Sequence, residues 1–138
     1  MTQQITTGCS YGFERHLPHA TFEQALEKVT AALKQEGFGI LTRIDVKDTL
    51  KRKLDADFRR YIILGACNPL LAHKALTAEP QIGLLLPCNV VVQDAPDGGV
   101  TVSIADPRAM FSLVNNPRLT PIVDDADQRL RRVIAALN

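Results

Sequence analysis

The sequence predicts an α+β fold, a two-layer sandwich whose mostly antiparallel or mixed sheet carries helices packed on one face. Three observations lead there. Residues 21–37 hold a helical apolar stripe between a cap and a stop. Apolar or alternating stretches at residues 38–44, 61–66, 84–93 and 100–105 read as strands. The resulting order, β-α-β-α-β-α-β-β-α-α, suits helices layered on one side of a sheet.

The elements follow in order. Residues 11–17 form a first strand, with Tyr11, Phe13 and Leu17 on one face and Arg15 sharing it. Thr21 caps the next helix while Gln24 reaches back, the capping-box spacing. Phe22, Ala25, Leu26, Val29, Ala32 and Leu33 then recur at steps of three and four, and Gly37 supplies the stop. Residues 38–44 return as a strand with Phe38, Ile40 and Ile44 on one face. Asp45 caps a short helix through Leu54, with Asp48 in its first turn.

Residues 61–66 make a compact apolar strand. Asn68 and Pro69 then open a helix as cap and first residue, and it ends before Glu79 and Pro80. Residues 84–93 and 100–105 are the arms of a hairpin joined through Gly98 and Gly99. The second arm alternates; the first is apolar on both faces and needs cover on both, so a second copy of the chain is expected over part of it. Pro87 donates no N–H and marks an edge or a bulge there. Asp106-Pro107 opens a short helix that stops near Pro117. A last helix covers residues 121–137, its aspartates early and its arginines late, complementing the helix dipole.

Composition narrows the function. At 138 residues, 46% hydrophobic and 22% charged, the chain has ordinary globular usage and suits a single domain, 1–138. Sixteen basic residues against fifteen acidic ones leave a net charge of +1, which argues against a nucleic-acid binder or a polybasic membrane anchor. Seven Lys or Arg and four Asp between Arg43 and Arg60 read as a solvated face. No stretch resembles a signal peptide or a membrane span. Three cysteines do not make a disulfide scaffold, and an odd number of free thiols fits a reducing, cytoplasmic setting.

One region carries chemistry. Cys67 stands where a strand ends and a capped helix begins, so helix amides are expected to lower its pKa below about 8.5, by less than one unit. It is the candidate catalytic thiol, with His73 nearly two turns away; the competing reading is a small buried residue filling the strand–helix junction. Cys88 repeats the context, and Asn89 points through the opposite face, where an amide must find hydrogen-bond partners or meet a ligand. A strand–helix–strand path can bring the two Cys-Asn pairs together, and whether their thiols close a disulfide is a matter of distance. Cys67, Asn68, Cys88 and Asn89 are therefore the candidate ligand-binding residues. Cys9, His16, His19, Cys67, His73 and Cys88 match no structural zinc spacing, and there is no Walker loop, dinucleotide fingerprint or nucleophile elbow. No cofactor is expected.

Four motifs together resemble a known family: Gly37-Phe38-Gly39-Ile40-Leu41 with Asp45-Val46-Lys47; residues 61–69 ending Cys67-Asn68-Pro69; residues 85–92 around Pro87-Cys88-Asn89; and Asp106-Pro107. In order and spacing, from about Thr21 onward, they are similar to the domain of unknown function 302. The resemblance implies a two-layer α+β core over residues 21–138, preceded by an extension and first strand in 1–20. It further implies a homodimer and candidate site residues Cys67, Asn68, Pro69, Pro87, Cys88 and Asn89. It implies no reaction. The functional expectation is a dimeric module for a small molecule or reactive sulfur species; the alternatives are a non-catalytic structural or regulatory homodimer and a metal-binding module.

Overall fold

Thr21 starts the first long helix as the sequence predicts. Its hydroxyl accepts from the Gln24 N–H at 3.1 Å, and the Gln24 side chain accepts from the Thr21 N–H at 2.9 Å. The computed structural model describes residues 6–138, with side chains from Cys9 onward. Its elements are β1 (Thr6–Cys9), β2 (Gly12–Leu17), α1 (Phe22–Gln35), β3 (Gly39–Asp45), α2 (Val46–Leu54), β4 (Tyr61–Cys67), α3 (Pro69–Ala78), β5 (Cys88–Asp94), β6 (Val100–Ala105), α4 (Pro107–Phe111) and α5 (Thr120–Ala135). Short 3-10 turns at Pro80–Leu85 and Pro117–Leu119 complete the path.

The six strands form one sheet in the order β1-β2-β6-β5-β4-β3, and every neighbouring pair is antiparallel. The fold is thus the predicted α+β class. α1 and α5 cover one face: Ala25, Val29 and Leu33 from α1 and Leu130, Val133 and Ile134 from α5 close on Phe13, Leu64, Val90, Val92, Val102 and Ile104. A smaller cluster of Ala75, Ile82 and Leu119, with Phe111 and Ile122 against it, lies between α3, α4 and the start of α5. No helix among the described residues is long and apolar enough to cross a membrane.

Arg15, which breaks the apolar face of β2, has a structural place. It is 7% exposed, and its Nη1 donates to the carbonyl oxygens of Ile134 and Ala135 at 3.1 and 3.2 Å. The last turn of a helix has carbonyls without intrahelical donors, and a guanidinium satisfies two of them here. Gly37 sits at φ +84°, the left-handed conformation that favours glycine after a helix.

Three strand expectations need correction; in β3 a bulge between Ile40 and Thr42 sets Ile40 opposite Ala66 on the core side but Ile44 opposite Ile63 on the other. The strand expected from residue 84 begins only at Cys88. Pro80, Gly83 and Pro87 favour a tight turn over a ladder, and Leu84 is 83% exposed. The doubly apolar reading therefore loses Leu84, Leu85, Leu86 and Pro87; within β5, Val90 and Val92 are buried, Val91 is half-buried and Asn89 is exposed. At the other end, β1 was not foreseen, and β2 starts at Gly12, leaving Tyr11 outside the strand. The reading of the extreme N-terminus falls partly on residues 1–5, outside the described ones.

Three of the seven cations of residues 43–60 are ion-paired. Lys51 reaches Asp55 and Asp57, Arg52 reaches Asp48, and Arg60 reaches Asp94.

Candidate functional site

Antiparallel pairing of β4 with β5 brings the two Cys-Asn pairs together. Ala66 stands opposite Cys88 and Gly65 opposite Asn89, so Cys67 lies one step along from the Cys88 position. The crossing is tight. Pro87, which follows a cis peptide, lies on Gly65, with its Cγ 2.8 Å from where a β-carbon there would stand; the Thr42 hydroxyl crowds the same point. Only a glycine leaves room for both.

Cys67 and Cys88 line the same small cleft, about 40 Å³ in volume, with Phe38, Leu71, Leu86 and Phe111 among its walls. Its accessible wall is apolar. A second cleft of about 170 Å³ adjoins it, bordered by Leu84, Cys88, Asn89, Pro107, Met110 and Phe111. Leu86, Pro87, Cys88 and Phe111 belong to both, which makes Cys88 part of the partition. The inner space holds little more than one water, whereas the outer one admits a small molecule. Met110 and Phe111 were not singled out by sequence; the Asp106-Pro107 motif was the available signal, since it starts the helix that carries them.

All three cysteines are free thiols. Burial pushes the Cys67 thiol up from its ordinary value. It pushes Cys88 up to about 11, with the nearby charge of an ionised Cys67 adding to the effect. Both directions oppose the lowering expected at a helix start. Pro69 has no N–H, and Asn68 Oδ1 takes the Leu71 N–H at 3.2 Å, so two donors of the first turn do not serve a thiolate. What remains of a dipole effect, under one pKa unit, is smaller than desolvation.

The four candidate ligand residues divide. Asn68 is 8% exposed and uses both ends of its amide inside the protein, because Nδ2 also donates to the Glu36 carbonyl oxygen at 3.3 Å. Arg129 Nη1 donates to that same oxygen at 3.0 Å, and Arg132 grips the Glu36 carboxylate at 2.8 and 3.0 Å. Asn68 thus ties the start of α3 to the end of α1, beside α5. Asn89 does the reverse: it lies on the sheet face away from α1 and α5, exposed, at the mouth of the larger cleft.

The other sequence candidates lie elsewhere. His73 borders a separate shallow hollow with Lys74, Thr77 and Arg118. His16 Nδ1 is 3.4 Å from the Thr101 hydroxyl, His19 is exposed, and Cys9 stands against Gly12 in the first hairpin. Among the described residues, no three His, Cys, Asp or Glu side chains gather as a metal group.

No curated protein matches the chain. A solved structure does: the crystal structure of an uncharacterized conserved DUF302 protein from Bacillus stearothermophilus. It is 27% identical, with a TM-score of 0.85, covering 94% of this chain and 100% of that one. The profile of the family described as domain of unknown function DUF302 matches residues 13–137, starting eight positions before Thr21, where the motif resemblance began. With a profile match over nearly the whole chain, residues 13–137, the chain belongs to the DUF302 family.

Proposed function

We propose that this protein is a homodimeric binding module for a small sulfur-bearing molecule, received in the paired clefts beside Cys67 and Cys88. The observation that carries the reading is that both thiols line one apolar space of about 40 Å³ opening beside another of about 170 Å³. The outer cleft takes the body of the ligand near Asn89 and Met110. The inner one has room for a terminal sulfur and little else. Raised thiol pKa values favour binding over nucleophilic turnover near neutral pH, because the thiolate is the nucleophile. The half-buried Ile63 and Val91 and exposed Ile44, on the sheet face away from α1 and α5, favour a second copy as its cover.

Titration of the full chain with a low-molecular-weight hydropersulfide, followed by amide NMR, tests this. Saturable shifts at Cys67, Cys88 and Met110 that vanish in Cys88→Ala are expected. Absence of saturable shifts, or shifts unchanged in that variant, rejects the reading. Sedimentation gives the dimer part its own test, since a single species of 15.2 kDa removes it.

A structural or regulatory dimer is favoured by one observation, the internal engagement of both ends of Asn68. In that case Cys67→Ala lowers the melting temperature and leaves hydropersulfide affinity unaltered.

A further inference from the structure

Phe111, the last residue of α4, borders three spaces at once. These are the inner cleft of about 40 Å³, the outer cleft of about 170 Å³, and a hollow of about 280 Å³ between α4 and the start of α5. No other described residue borders all three. We propose that the Phe111 ring is a gate between the two clefts. It opens by turning into the third hollow, and so admits the narrow apolar end of a ligand past Cys88.

A close-packed side chain cannot turn without displacing its neighbours. Phe111 is only half-buried and has space on three sides. A cavity of about 150 Å³ takes a benzene-sized ring; the third hollow exceeds that and the inner cleft falls far below it. The hollow also keeps the ring in apolar company. Val114, Leu119 and Val123 line it, and they belong to the same cluster that Phe111 packs against already. Arg108 and Asp124, which line it too, are paired with each other at 3.3 Å, so the ring displaces no unpaired charge there. The backbone stays in place, since the segment is pinned at both ends. The Asp106 N–H donates to the Tyr11 carbonyl at 2.9 Å, and the Asn116 amide donates to the Ala78 carbonyl and the Glu79 carboxylate at 3.0 and 3.1 Å. The movement is a step of one side chain between staggered positions. Cys88 borders both clefts that the ring separates, which makes it the thiol that the gate covers.

The inference rests on the proposed reading only in taking the clefts as the receiving site, and the two fail separately. Alkylation follows access alone: a gate that responds without any hydropersulfide shift ends the ligand reading, and hydropersulfide binding beside an unresponsive Cys88 ends the gate. The test is the rate of iodoacetamide alkylation of each cysteine in the full folded chain, followed by mass spectrometry. Phe111→Ala removes the gate and should speed alkylation of Cys88 several-fold, with Cys9 in the first hairpin unchanged. Thr120→Phe fills the third hollow from an exposed position, holds the gate shut and should slow Cys88 several-fold, again with Cys9 unchanged. An unaltered Cys88 rate in either variant, or Cys9 and Cys88 accelerating together in Phe111→Ala, overturns the gate. Where Phe111→Ala fails to fold, Thr120→Phe decides alone.

Discussion

The Pro87 ring lies on Gly65, its Cγ 2.8 Å from the place a β-carbon would take, and the Thr42 hydroxyl fills the rest of that place. Gly65→Ala must therefore displace an edge strand or the turn into β5. A loss of about 1–3 kcal/mol is expected by chemical denaturation, as for other overpacked sites. Thr42→Ala in the same chain should restore part of it, because one of the two obstructions goes; a strictly additive double variant would show that the strands do not meet this way.

Asn68 offers a second measurement. Asn68→Ala removes a helix cap and the bond to the Glu36 carbonyl, with an expected cost of about 2 kcal/mol. Asn68→Asp keeps the cap acceptor but sets a carboxylate against that carbonyl, so it too should destabilise. If either variant melts like the parent, Asn68 does not hold α3 to α1.

The thiols give stability a pH dependence of definite sign. Cys88 is pushed up to about 11 in the folded protein, and Cys67 is raised as well; an unfolded cysteine ionises near 8.5. The folded state therefore favours the neutral thiol, and this contribution is complete below the unfolded value. It declines as pH rises from about 8.5 toward 11, because the unfolded chain then releases protons first. Denaturation midpoints should fall through that window, and Cys88→Ala should flatten the slope. Alkylation of Cys88 in the folded chain should lag that of Cys67; equal rates at pH 8 would contradict the burial.

Asp127 links α5 to α4. It is 2% exposed, its Oδ2 lies 3.0 Å from Arg131 Nε and 3.5 Å from Arg108 Nη2, and its Oδ1 has no hydrogen-bond partner among the described residues. Asp127→Ala should cost about 1–3 kcal/mol, and Arg108→Ala less, since Arg108 is half in solvent. Thermal melting of the two variants compares them directly, and the reverse ranking would mean that the aspartate does not anchor the pair.

The elements with strong local instructions were legible in the sequence. α1 carries its own cap, stripe and stop, and α3 its Asn-Pro start, so neither needs distant residues to be recognised. The turn at Pro80–Leu85 was misread because leucine repeats look alike in a strand and in a tight helix, and Leu84 is left exposed by packing alone. That the Cys67 and Cys88 segments lie side by side was accessible as a consequence of strand order. The environment of their sulfurs was not, because desolvation depends on walls such as Leu71 and Phe111, from helices outside both motifs. Asn68 shows the same division: its role as a cap is local, whereas its bond to Glu36 spans 32 residues.

Arg15 grasps the final turn of α5 across 119 and 120 residues, and β2 pairs with β6 along its whole length. The hydrophobic layer is thus sealed by segments from opposite ends of the described chain. During synthesis the early hairpin must wait for α5 to emerge before its guanidinium reaches the Ile134 and Ala135 carbonyls. Folding is accordingly a late, cooperative event. Losing the final two turns of α5 would remove the Ile134 and Ala135 acceptors and unroof the sheet together, so a chain shortened there would not keep an intact interior.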